Sequence, residues 1–297
     1  MRVALVLPGQ GSQRPGMGAT WRDTPGWALV EQASALLGRD LQSLLLDADA
    51  EVLRATREAQ VATYLTSLLA LDALGTLPRL EVVAVAGHSL GELTALVAAD
   101  VLDRQAAMLL VAERGDAMQA AADAAPGTMA AVLGLEPAEV ARVCAEVGGV
   151  WPANDNAPRH VVVSGTPAGV AAVTPRLTQA GARRVLPLPV GGAFHTPLMA
   201  PARERLDAAL RTTAYGAPRV PVLANVTAAP YDGDVAGLLS RQLTEPVRWR
   251  ELLLALPPVD AVVEVGPGGV LTGLVSRTLP GVRALSVARP SDLEVLQ

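Results

Sequence analysis

The chain has no lysine; all 24 of its basic residues are arginine. That excludes a Schiff-base lysine, a lysine general base and the lysine of a phosphate-binding P-loop. Cysteine is almost as scarce. A single residue, Cys144, excludes an internal disulfide and any multi-cysteine metal site. It falls on the stripe Val140, Val143, Cys144, Val147, a helical spacing that reads as buried packing. Aromatics make up only 3% of the chain, with one phenylalanine, so a core must be built from alanine, valine and leucine. No uncharged apolar stretch approaches the ~20 residues that span a bilayer. The N-terminal run Val3–Leu7 is stopped by Pro8-Gly9, too early for a signal-peptide core. A soluble, cytoplasmic protein without membrane contact is expected. The formal net charge of −5 leaves no electrostatic footprint for nucleic acid.

What is present is a chain of 297 residues, 51% hydrophobic, enough for one large domain or two smaller ones. Val3–Leu7 and Val82–Ala86 read as short strands buried on both faces. Helical patterns cover Trp27–Leu37, Thr56–Leu74, Leu93–Ala99 and Arg104–Ala122. From Pro126 the rhythm changes. Strand Thr128–Leu133, helix Pro137–Val147, strands Val150–Ala153 and His160–Ser164 around an Asn-Asp-Asn-Ala-Pro turn, helix Pro167–Ala180 and strand Arg183–Val190 follow. That βαββαβ order is a ferredoxin-like unit, set off by Pro126-Gly127 and Gly191-Gly192. Helix Met199–Arg211, a strand near Val220–Asn225, helices near Asp234–Leu243 and Trp249–Leu256 and strand Ala261–Val265 complete the pattern. The expected fold is α/β: a mostly parallel sheet in a large body, residues 1–125 and 192–297, with a small subdomain, residues 126–191, inserted into it.

Gly87-His88-Ser89-Leu90-Gly91 has the form G-x-S-x-G between a strand and a helix, the context of a nucleophile elbow. The same pattern also fits a turn whose serine caps the next helix. A serine needs a base, and the chain offers only His88, His160 and His195. Side chains of neighbours at an elbow diverge, which disfavours His88. His160 opens an apolar strand and is expected to end it or bond locally. His195 lies in a glycine-flanked junction before a helix, a natural edge of a cleft, and is the best base by elimination. Neither Gly9-Gln10-Gly11 nor the Gly266 loop completes a dinucleotide fingerprint, so neither argues for a nucleotide cofactor.

Eight stretches in order carry a resemblance: LPGQGSQ (7–13), GHSLGE (87–92), ERGDAMQ (113–119), GTMAAVLGL (127–135), FHTPLM (194–199), PVLANVTAAP (221–230), QLTEPVRW (242–249) and VGPGGVLTGL (265–274). Together they resemble the malonyl-CoA:acyl-carrier-protein transacylases and, similarly, the acyltransferase domains of polyketide synthases. The resemblance implies an α/β-hydrolase-like body with an inserted ferredoxin-like subdomain. It implies Ser89 as the acylated nucleophile and His195 as its base, oriented by the backbone carbonyl of Gln242. Backbone N–H groups of Gln10 and Leu90 would form the oxyanion hole. Arg114 would hold the malonyl carboxylate and Met118 would help line the pocket. Read alone, Arg114 fits an exposed helix arginine paired with Glu113 or Asp116 better than a substrate-binding one.

The implied reaction is ping-pong transfer of malonyl from malonyl-CoA, through a malonyl-serine ester, to the phosphopantetheine thiol of acyl carrier protein. No cofactor and no metal are expected, and the chain is expected to act as a monomer. Phe194 beside the base, with Leu90 after the serine, points to malonyl over methylmalonyl. Two departures stand out. His160 occupies a position where such proteins often carry glutamine, and Gly191-Gly192-Ala193 before the base suggests a looser loop. Arg183-Arg184 is a candidate docking patch for an acidic carrier. The competing readings are a serine thioesterase or hydrolase, and a non-catalytic module that binds acyl-CoA or carrier protein.

Overall fold

The computed structural model describes residues 1–77 and 80–296. Five strands form a fully parallel sheet: β1 (Arg2–Leu7), β2 (Glu81–Gly87), β7 (Val222–Leu223), β8 (Ala261–Val265) and β9 (Arg283–Val287), in the order β7-β2-β1-β8-β9. The remaining four, β3 (Thr128–Leu133), β4 (Val150–Ala157), β5 (His160–Gly165) and β6 (Arg184–Pro187), form an antiparallel sheet in the order β4-β5-β3-β6.

Side chains alternate across a strand, and each apolar strand here serves two cores. Val3, Leu5 and Leu7 of β1 face the main core with Val85 and Val263, while Ala4 and Val6 face a second core with Ala84, Ala86, Val262 and Trp249. Continuous apolar runs are what a parallel sheet covered on both faces requires. The small sheet divides its residues the same way. Ala130, Val132, Val161 and Val163 pack against the helices Pro137–Val147 and Pro167–Gln179, with Cys144 buried among them. Met129, Ala131 and Val162, on the other face, join the core of the body.

Most elements lie where the sequence places them; Thr56–Leu74, Thr128–Leu133, Pro137–Val147 and Ala261–Val265 match end to end. One segment differs in kind. Asn154-Asp155-Asn156-Ala157 is not a turn but the bulged second half of β4, and the reversal falls on Pro158-Arg159, with Arg159 at φ 55°. The segment stays extended because it is bonded on both sides. Beyond its pairing with β5, the Asp155 N–H donates to the Val247 carbonyl and the Val247 N–H to that of Ala153, each at 2.9 Å. An Asp155–Arg250 ion pair at 2.8 Å adds a side-chain tie to the body. These partners override the turn preference of Asn and Asp. The strand expected over Arg183–Val190 is laddered only over Arg184–Pro187, and that near Val220–Asn225 only over Val222–Leu223. Helices Leu41–Leu46 and Val270–Thr278 and strand β9 were not anticipated from the sequence.

Candidate active site

Strand β2 runs into Ser89, and helix Gly91–Ala98 begins two residues later. Ser89 has φ 51°, a left-handed conformation that a non-glycine residue adopts only when its surroundings enforce it. The glycines make the bend possible by close approach. A Cβ on Gly87 would lie 1.9 Å from the Gly91 carbonyl, and one on Gly91 would lie 2.0 Å from the Leu7 carbonyl oxygen. The turn therefore sits directly against the carboxyl ends of β1 and β2, where open α/β sheets place their sites.

Asn225, fully buried after β7, ties the elbow down. Its Oδ1 accepts the Ser89 N–H at 2.7 Å, and its Nδ2 donates to the Gly87 carbonyl at 2.6 Å. Gln242, at the end of helix Val235–Gln242, adds a bond from its Nε2 to the Ser89 carbonyl at 2.8 Å.

His195 meets this serine from the loop before helix Ala200–Thr212, itself at φ 58°. Its Nδ1 lies 2.8 Å from the Gln242 carbonyl oxygen and its Nε2 lies 2.8 Å from Ser89 Oγ. A carbonyl can only accept, so Nδ1 carries the proton of the neutral ring. Nε2 is then the acceptor, and the Ser89 hydroxyl donates to it. Burial and the positive charge of Arg114 push the imidazole down to about 3, so the base stands neutral.

Arg114 is 2% exposed, not a surface arginine. Its neighbour Glu113 is taken by Arg205 in a two-bond pair of 2.6 and 3.1 Å. The Arg114 guanidinium points inward, donating from Nη1 to Gln60 Oε1 at 2.8 Å and from Nη2 to Gln242 Oε1 at 2.8 Å and Ser89 Oγ at 3.0 Å. The sequence-derived set of Ser89, His195, Arg114 and Gln242 is thus brought together. Ser89 and His195 line a cavity of about 260 Å³ between the body and the small sheet, and Arg114 and Gln242 lie behind its wall, bonded to the serine and the histidine.

Gln10, Met118 and Phe194 line that cavity. Leu90 does not; its side chain is buried in the main core, so only its backbone faces the elbow. The N–H groups of Gln10 and Leu90 donate to no acceptor among the described residues. In the loop before His195, Gly191 is exposed with open space around it. Residues 192–196 are buried, and a Cβ on Gly192 would lie 2.4 Å from the Phe194 ring, so this glycine makes room for the ring.

His88 turns away from the serine, as expected, and bonds across the cleft. Its Nε2 lies 2.8 Å from Asn156 Oδ1, and its ring meets Trp249 edge-on at 5.2 Å. His160 also lines the cavity, with a buried Nδ1 that has no partner among the described residues. Residues that sequence reasoning missed are Gln60, Asn225, Asn156, Glu92 and the side chain of Gln242. A signal existed for Gln60: a long amide on an otherwise apolar helix face needs a buried partner.

Residues 4–290 match the family described as acyl transferase domain. The malonyl CoA-acyl carrier protein transacylase of Escherichia coli K12 is 40% identical over 308 aligned positions, which cover 98% of this chain and 97% of the relative. The chain belongs to the malonyl-CoA:acyl-carrier-protein transacylase family. Among solved members, the transacylase of Coxiella burnetii superposes with a TM-score of 0.95 at 32% identity, covering 100% of this chain and 96% of its own. Another, the malonyl-transacylase solved in complex with a type II polyketide acyl-carrier protein, superposes at 0.95 with 35% identity over 99% and 98% of the two chains. The transacylase fold accounts for both sheets, and the expectation of an α/β body with a small antiparallel unit stands.

Proposed function

We propose that this transacylase moves a malonyl group from malonyl-CoA to the phosphopantetheine thiol of acyl carrier protein, through an ester on Ser89. The observation that carries the reading is the Arg114 guanidinium, buried and 3.0 Å from Ser89 Oγ. A thioester needs only the serine and its base. An acyl group with a free carboxylate needs a cation at fixed distance from the attacked carbon, and a planar guanidinium supplies two parallel donors.

In this reading Ser89 Oγ attacks the thioester carbonyl and passes its proton to His195 Nε2. The oxyanion takes the open N–H groups of Gln10 and Leu90; losing one such donor costs roughly 2.7–4 kcal/mol. Collapse expels CoA, which leaves as the thiol with the proton from His195. The carrier thiol then repeats the steps against the ester. The substrate carboxylate displaces Ser89 as an acceptor of Arg114, which frees the serine lone pair for attack. Phe194 fills the space beside the acyl C2 and favours malonyl over methylmalonyl, while Met118 shapes the pocket.

The body, residues 1–125 and 192–297, would supply this machinery, and residues 126–191 would close the cleft. Carrier docking is assigned to Arg183 and Arg184, both exposed; Arg183 shares a depression with Arg159, His160 and Arg277, and His160 also borders the catalytic cavity. The chain would work in the cytoplasm as a monomer without cofactor or metal. No helix among the described residues is long and apolar enough to cross a membrane.

Intact-mass measurement after incubation with malonyl-CoA tests the reading. The chain is expected to gain one malonyl group, to lose it to added carrier protein, and to gain none as Ser89→Ala. Release of free malonate as fast as transfer would make it a hydrolase instead, and absence of acylation would make it a binding module.

A further inference from the structure

The cation that holds the acyl carboxylate is itself buried, and its three hydrogen-bond acceptors among the described residues, on Gln60, Gln242 and Ser89, are all neutral. A buried charge without a counter-charge is costly. One amide away stands Glu92, in the first turn of helix Gly91–Ala98 and 1% exposed. The Gln242 side chain spans the gap: its Oε1 accepts from Arg114, and its Nε2 donates to Glu92 Oε2. The other carboxylate oxygen accepts the Asn225 N–H at 2.9 Å and the Tyr231 hydroxyl at 2.6 Å. The mechanism above gives Glu92 no task.

We propose that Glu92 is a positioning residue that balances Arg114 in the empty site, and that it takes a proton from solvent when the acyl carboxylate arrives to do so instead. The inference rests on Arg114 as the carboxylate holder. Its basis is charge counting in a cluster closed to water: one cation is matched by one anion, and a second carboxylate disfavours ionisation of the first. Atoms balance without touching the substrate's bonds, since a solvent proton and the Glu92 carboxylate become the carboxylic acid. Tyr231 serves either state, because its hydroxyl donates to the carboxylate and can rotate to accept from the acid.

The groups around Glu92 set the range. Burial raises it, while Tyr231, the Asn225 N–H, Gln242 and the charge of Arg114 oppose burial and leave it at about 7. Beyond Arg114 lies His195, held neutral, and beyond Tyr231 lie Tyr215 and Asp234. An added anion raises the value further. Below about 7 the acid is already formed in the empty site, so uptake belongs to the range above it.

Calorimetric titration of Ser89→Ala protein with malonyl-CoA, in buffers of different ionisation enthalpy, counts the protons. About half a proton per site is expected near pH 7, rising toward one above it, with affinity falling up to about tenfold per pH unit there. In Ser89→Ala/Glu92→Gln that uptake is expected to vanish and the affinity to lose this pH dependence. Ionisations of CoA itself are common to both proteins and cancel in the comparison. Equal uptake in the two proteins, or none in the first, overturns the proposal. If the Glu92 variant does not fold, Ser89→Ala/Tyr231→Phe serves. Loss of the hydroxyl moves the uptake range to higher pH, and an unmoved range overturns the proposal. Failure of malonyl-CoA to bind, or equal binding to Arg114→Ala, would instead defeat the reading of the pocket on which this rests.

Discussion

Replacing Asn225 by alanine isolates what holds the nucleophile in place. The side chain touches no catalytic atom. It accepts the Ser89 N–H at 2.7 Å and donates to the Gly87 carbonyl at 2.6 Å, from a position with no solvent exposure. Asn225→Ala orphans both groups. The Gly87 carbonyl is buried, so its desolvation is uncompensated, about 1–3 kcal/mol. The Ser89 N–H is only partly buried and forfeits roughly the net worth of a hydrogen bond, about 0.5–1.5 kcal/mol. The sum, about 1.5–4.5 kcal/mol, is read as a lower denaturant midpoint at unchanged slope. The catalytic effect is separate. Ser89 keeps φ 51° only while the elbow is clamped, and release lets the serine move relative to His195. A displacement near 1 Å is worth on the order of 10²-fold in rate. Urea melts and steady-state transfer to carrier protein are the assays, with kcat falling and KM for malonyl-CoA little changed. A variant that melts early yet keeps the wild-type kcat would refute the argument that Asn225 sets the serine's geometry.

Two further outcomes follow from the site. Phe194→Ala should lower the preference for malonyl-CoA over methylmalonyl-CoA, measured as a ratio of kcat/KM, by the roughly 1–3 kcal/mol that one methyl group is worth in a pocket; an unchanged ratio would remove Phe194 from selectivity. His195 lies far below its ordinary value because it is buried beside Arg114, so the neutral base persists as pH falls. The dependence of kcat/KM on pH should therefore show no loss centred near 6.5, the value for a solvated histidine. An acid limb at that position would contradict the neutral, buried imidazole.

The chemistry that depends on local pattern was legible early. The elbow could be read because a strand, a tight glycine turn and a helix are consecutive in the chain, and their geometry follows from backbone sterics. His195 could be reached by elimination among three histidines, and the continuous apolar strands announced a sheet covered on both faces. The short elements at the sheet's edges were less legible, since β7, with two residues, exists only through its pairing with β2.

Sequence alone thus offered a serine at an elbow and a histidine downstream, and the eight stretches that resemble the transacylases implied the reaction class. Tertiary structure decided how those groups are held. Asn154–Ala157 is a strand because Val247 and β5 bond it from both sides. Gly192 is where a Cβ would collide, because the Phe194 ring folds back over it. Arg114 turns inward because Gln60, 54 positions before it, and Gln242, 128 after it, offer acceptors that water cannot replace once the core closes. A buried charge takes its meaning from its neighbours, and those neighbours become adjacent only when the chain has folded.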